Sequence, residues 1–209
     1  MRTDLDKDTP TDVASTLLAG GPAPAPAPFA PTAASSAPTA AVSAPTTASS
    51  APTIILPDER DFFDFGGLGV RWKVDAAETD RRFSVVHHPI APRALAAPLH
   101  YHHNEDEYSY VLEGTLGALL GDEVVTAGPG TWVFKPRGQW HTFWNAGDVP
   151  CEIIEIISPG GFESYFREVA GAWGDAEAFG RIGEKYALDM DFDSVPDLCE
   201  RFGLTFPAV

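Results

Sequence analysis

Between Val70 and Ser158 the chain is cut into short runs of β-branched and aromatic residues, separated by turn residues and free of helical spacing. Val70–Val74 alternates apolar and polar side chains, and Phe83–Ile90 is a second β-rich run that ends at a proline-bearing segment. Leu116–Leu120 and Glu123–Thr126 flank Gly121-Asp122, a pair that favours a hairpin turn. Gly128-Pro129-Gly130, Pro136-Arg137-Gly138 and Asn145-Ala146-Gly147 punctuate further strands, the last being Cys151–Ser158. Many short strands without intervening helices predict a mainly β domain, a small antiparallel β-barrel or jelly roll.

Within this region lies a dense set of potential metal ligands. His100 and His102 stand two apart, so on a strand both imidazoles share one face. Glu107 follows the acidic turn Asn104-Glu105-Asp106 and begins the run Tyr108–Leu112, which delivers a carboxylate from a neighbouring strand. His141, just past the Pro136-Arg137-Gly138 turn, supplies a third imidazole. Imidazole nitrogens suit Zn, Cu, Fe and Ni, and a carboxylate offsets part of a dication's charge. Four protein ligands on an ion that takes six leave two positions for chemistry.

These residues resemble the two signature motifs of the cupin superfamily. His100, His102, Glu107 and Gly114 fall at the spacings of the first motif, with Ala94 where it opens on Gly, and Gly130, Pro136, Gly138, His141 and Asn145 meet the second in full. The resemblance covers roughly the middle half of the chain. It implies one divalent transition metal ion (Fe, Mn, Ni, Co, Cu or Zn), held by His100, His102, Glu107 and His141. The ligand set looks like that of quercetinase-type dioxygenases, in which the Glu can also accept a substrate proton; Glu107 would carry that catalytic role here. The expected function is a dioxygenase-type oxidoreductase acting on a small enolisable or aromatic molecule. A non-redox isomerase, cyclase or decarboxylase, or a small-molecule-binding cupin without turnover, are the alternatives. Cupins commonly pair as homodimers, so a homodimer is expected too.

Other residues are candidates for the pocket around that ion. Phe143 and Asn145 share the face of His141, and Ser109 shares that of Glu107, giving an apolar lining with few polar groups. Alternation turns one of His87 and His88 inward; His87 is the candidate pocket residue, although no signal separates it from its neighbour. His103 should point away from His102. Glu155, between Ile153 and Ile157, is either a pocket acid or a polar residue on a partly exposed face. Phe143, Trp132 and Phe134 also suit an ordinary barrel core.

The flanks differ in character. Residues 1–53 read as a disordered Pro/Ala/Ser/Thr-rich tail, which offers little to bury. Residues 54–160 form the expected barrel and 161–209 a helical extension. In that extension Phe162, Tyr165, Phe166, Val169 and Trp173 recur at helical spacing, as do Ala176, Phe179, Ile182 and Tyr186; a third helix holds Val195, Leu198 and Phe202. These helices either pack on the barrel wall or complete a dimer, or Phe162 and Phe166 close the barrel mouth as a lid. A net charge of -16 opposes nucleic acid and anionic membrane surfaces as partners. Neither a secretory signal nor an apolar run of membrane-spanning length is read, so a cytoplasmic location is expected. Cys151 and Cys199 fit no ligand spacing and read as small buried hydrophobes.

Overall fold

A computed structural model of the protein describes residues 53–207. The tail expected over residues 1–53 lies outside the described residues except for Thr53. The chain runs through β1 (Phe62–Asp64), β2 (Gly69–Val74), a 3-10 turn (Ala76–Thr79), β3 (Ser84–Ile90), β4 (Ala94–Leu95), β5 (Leu99–His102), β6 (Asp106–Glu113), β7 (Leu116–Leu120), β8 (Glu123–Ala127), β9 (Trp132–Lys135), β10 (His141–Asn145) and β11 (Cys151–Ser158). Then follow α1 (Glu163–Gly171), α2 (Ala176–Lys185), β12 (Leu188–Asp191) and α3 (Ser194–Phe202).

The strands form two antiparallel sheets. One has the order β1-β2-β3-β11-β6-β9 and the other β12-β5-β10-β7-β8, with β4 pairing β10. Alternation in β3 and β11 buries every second residue, which sends Val86, Ile90, Ile153 and Ile157 into one core with Leu116, Ala118 and Phe143 of the other sheet. Gly121 sits at φ 59° in the β7–β8 hairpin, where Leu120 pairs with Glu123, so the expected turn is present.

β10 departs from alternation, being buried at all five residues. Its second face is covered by α3: Trp144 stacks on Phe202 with centroids 4.2 Å apart and joins Leu95, Leu198 and Leu204 in a separate small core. The indole also requires Gly117 on β7, since a Cβ there would come 2.2 Å from Trp144 Nε1.

The three helices fall where the apolar spacing places them, but the sequence reading missed β12. It lies between α2 and α3 and pairs with β5, Leu188 opposite His102 and Met190 opposite His100. Its Leu-Asp-Met-Asp alternation is too short to stand out beside the helical pattern on either side. α1 is tied to the first sheet through Glu163, whose carboxylate accepts from the amides of Ala76 (2.9 Å) and Gly161 (2.7 Å), while Trp72 Nε1 donates to its carbonyl at 2.8 Å. The expectation that Phe134 and Trp132 are core fails. Both are about half exposed on the outer face of β9, where they pack on Tyr108 and Tyr110. Among the described residues no helix is long and apolar enough to cross a membrane, and both cysteines are free, Cys151 buried and Cys199 half-buried.

Candidate metal centre

β5, β6 and β10 bring His100, His102, Glu107 and His141 together. One donor atom from each lies within 4.8 Å of the others, and all four side chains are buried. The meeting follows from register: His100 pairs with His141 across β5 and β10, and the period of two returns His102 to the same face. Glu107 arrives from the facing sheet, with Oε1 3.4 Å from His102 Nε2 and Oε2 3.4 Å from His141 Nε2.

The tautomers are set locally. His100 Nδ1 lies 2.9 Å from the Pro98 carbonyl and His141 Nδ1 3.0 Å from that of Gln139, so each Nδ1 donates and each Nε2 keeps its lone pair for the cluster. His102 Nδ1 has no such carbonyl; the nearby carboxylate is Glu105 Oε2, at 3.8 Å. Burial, then the neighbouring His141 and His102, holds His100 well below its ordinary protonation range, and burial lowers His102 to about 4. Neutral imidazole is the ligating form.

The donor set fits a divalent transition metal. His141 Nε2 is buried without a hydrogen-bond partner, an arrangement that costs about 1–3 kcal/mol unless something else satisfies it. A cation with N/O affinity satisfies it together with the Glu107 carboxylate.

Sequence reasoning missed Lys135. Its side chain is fully buried, with Nζ 2.9 Å from Glu107 Oε2 and 2.8 Å from Glu155 Oε2, above the Phe143 ring at 4.4 Å. Burial works against the ammonium, but the two carboxylates outweigh it and raise Lys135 above its ordinary range. Glu107 feels burial too, yet Lys135, His102 and His141 hold its carboxyl well below the usual range. Glu155 is pushed by burial to about 7, against the pull of Lys135, because Glu107 draws on the same ammonium. Hydrophobicity in Trp132-Val133-Phe134-Lys135 suggests the aromatics face inward. The only contrary signal was their reach toward Tyr108 and Tyr110 across the outer face.

The remaining pocket expectations divide. Phe143 lines the cavity beside the cluster. Ser109 is buried but donates to Glu155 at 3.0 and 3.1 Å, so it holds that acid and does not line the cavity. Asn145 is also outside the cavity lining: its amide bonds the carbonyls of Ile90 (3.2 Å) and Val149 (2.8 Å) and fastens the turn into β11. His87 is corrected: it faces outward and pairs with Glu152 at 3.2 Å, while His88 turns inward, lines the cavity and bonds the Gly69 carbonyl at 2.9 Å. The bulge in the β2–β3 pairing leaves no trace in composition that would have chosen between them. Glu155 resolves as a cavity acid, 1% exposed. His103 points outward to Asp189 at 2.8 Å, as expected. Phe162 and Phe166 reach the barrel mouth, their rings 4.4 Å from His102 and 5.6 Å from His88.

His88 gives a pH prediction. Burial lowers it to about 4 from an ordinary 6.5; below 6.5 the unfolded chain takes up a proton that the folded chain refuses. Stability is therefore full above pH 6.5 and falls as pH drops toward 4, by on the order of 3 kcal/mol from this residue. Urea unfolding of wild type and His88→Gln between pH 7 and 4.5 checks it, with a shallower loss expected in the variant.

Residues 86–157 match the family model described as Cupin domain. The chain is 38% identical over 60 residues to TcmJ, a tetracenomycin polyketide synthase protein of Streptomyces glaucescens, across 29% of this chain and 40% of that protein. It is 32% identical over 84 residues to the xanthan biosynthesis protein XanB of Xanthomonas campestris pv. campestris, across 40% of this chain and 18% of that one. The match thus spans less than half the length of either relative. Among solved structures, KdgF from Halomonas sp. superposes with a TM-score of 0.48 at 17% identity, covering 55% of this chain and 99% of that one. A predicted oxalate decarboxylase from Thermotoga maritima gives 0.46 at 19%, covering 51% and 99%. Residues 86–157, which contain both motif stretches on the two-sheet antiparallel fold, match the Cupin domain model, so this segment of the chain is a cupin domain.

Proposed function

We propose that the chain is a metal-dependent enzyme of the dioxygenase type, acting on a small enolisable or aromatic molecule, with His100, His102, Glu107 and His141 as the ligands. One observation carries this reading: four buried donors converge, and three of them, His100, His102 and Glu107, line a cavity whose apolar wall includes Leu68, Phe143, Phe162, Phe166 and Met190. When bound, the ion supplies Lewis-acid stabilisation of an enolate and, if redox-active, reaction with dioxygen. The similarity to a polyketide synthase protein supports an enolisable substrate, because polyketides carry β-dicarbonyl units.

The chain's own residues exclude water and handle the proton. Phe162 and Phe166 close the cavity over the cluster, and Glu107 serves as ligand and proton acceptor. A second assignment of the proton step is favoured by one observation: Glu107 is held well below the usual range, whereas Glu155, near 7, lines the same cavity with a proton affinity matched to neutral pH. Homodimerisation belongs to the same reading. Its support is the outer face of β6 and β9, where exposed Tyr108, Phe134 and Trp132, with half-buried Tyr110 against Trp132, offer a second copy an apolar surface.

Glu107→Gln at full metal occupancy should still bind a diketone or flavonol but lose most turnover, roughly 100-fold or more. Oxygen uptake and product formation across flavonols, diketones and related enols provide the measurement. Loss confined to Glu155→Gln would assign the proton step to Glu155. Reversible binding with no turnover by the wild type would overturn the enzyme reading, and turnover without oxygen uptake would point to an isomerase, cyclase or decarboxylase.

A further inference from the structure

Two of the three clustered imidazoles are braced by the backbone. His100 Nδ1 donates to the Pro98 carbonyl at 2.9 Å and His141 Nδ1 to that of Gln139 at 3.0 Å, each two residues back along the chain. His102 is braced differently. It ends β5, where the chain leaves the strand for the turn Asn104-Glu105-Asp106, and what this turn brings back to its Nδ1 is a carboxylate, Glu105 Oε2, 3.8 Å away. Both atoms are buried, and among the described residues neither has a hydrogen-bond partner. A complementary donor and acceptor thus stand roughly 1 Å beyond the length of a charge-assisted bond, an arrangement that costs stability unless they close on one another.

The tautomer of His102 decides whether they close. Its other nitrogen, Nε2, lies 3.4 Å from Glu107 Oε1, so the ring stands between two carboxylates and its single proton has an acceptor on either side. When Nε2 ligates, the proton must sit on Nδ1 and face Glu105. The ring itself is held: it is 1% exposed, and the Phe162 ring stands edge-on to it with centroids 4.4 Å apart. Glu105 is the partner with room to move. It is half-buried and lines an open polar cleft with Arg81, Asn104 and Arg167, whereas it does not line the cavity beside the ligand cluster.

Resting on the metal-site reading above, we infer that Glu105 is a positioning residue for the ion: its carboxylate accepts from His102 Nδ1–H when Nε2 ligates and so fixes the ring from outside the cavity. An anionic acceptor also makes His102 a stronger donor than His100 or His141, which lean on neutral carbonyls. Glu105 therefore sets the affinity of a site to which it contributes no ligand atom.

The test uses full-length protein and Zn(II), with affinity measured by competition against a chromogenic chelator. Glu105→Leu should weaken zinc binding by roughly 10–100-fold, and Glu105→Gln, which keeps an acceptor oxygen without the charge, by less. Glu123→Gln, which removes one negative charge from the exposed end of β8, should leave the affinity unchanged. Nitrogen-15 spectra of zinc-loaded protein add a readout that a merely structural role would not move: of the three ring Nδ1–H signals from His100, His102 and His141, Glu105→Leu should shift or remove one and keep two. If Glu105→Leu does not fold, Glu105→Gln carries both comparisons. Unchanged zinc affinity in the Glu105 variants, three unmoved ring signals, or an equal loss in Glu123→Gln would overturn the role of Glu105 while leaving the metal site standing. A wild type that takes up no zinc, or zinc uptake that survives the joint replacement of His100 and His102 by Ala, would remove the metal-site reading and this inference with it.

Discussion

Replacing His100 and His102 together by Ala is expected to reduce bound metal from about one ion per chain to background, because two of the four proposed ligands are lost and neither remaining donor can close the site alone. Elemental analysis of wild type and variant, purified without chelator, makes the measurement. Both histidines are neutral in the folded chain and bring no charge to the core, so their loss leaves packing defects but no unpaired ion. A double variant that retained its metal would show that the convergence of these donors is not the binding site. The melting temperature separates site loss from unfolding: the metal-free variant should still unfold cooperatively, since the main core of Val70, Val86, Ile90, Val111, Ile153 and Ile157 is untouched.

Lys135→Met has the largest expected effect on stability. The ammonium is buried between Glu107 and Glu155, and removing it leaves two carboxylates in the core without their cation. Breaking a buried ion pair from one side costs about 3–5 kcal/mol, a drop of roughly 6–20 °C in melting temperature for a chain of this size. Lys135→Met combined with Glu155→Gln should recover part of that loss, because one of the two uncompensated carboxylates is removed and Gln still accepts from Ser109. Differential scanning calorimetry of metal-free proteins decides it. Equal destabilisation in the single and double variants would mean that the lysine acts through packing under Phe143 alone.

The clustering of His100, His102, Glu107 and His141 was legible because its logic is local. A His-x-His on a strand, a carboxylate opening the next strand and a histidine after a Pro-Gly turn all depend on the period of two and on turn chemistry, which the chain carries within a few residues. The β7–β8 hairpin and the span of β11 were readable for the same reason. Glu155 was readable only as an alternative, because burial depends on what the side chain meets, and the side chain it meets is Lys135, twenty residues away and missed in the sequence.

The sequence by itself determined the antiparallel β architecture, three C-terminal helices and four residues able to hold one ion, since periodicity and spacing are properties of neighbours in the chain. Tertiary structure decided that His88 and not His87 faces the cavity, that Ser109 and Asn145 serve as struts, that β12 completes the second sheet beside His100 and His102, and that Lys135 lies between two buried acids. Each of these depends on which of two strand faces is covered and by what, and that is settled by contacts between segments tens of residues apart, with no local signature in either segment.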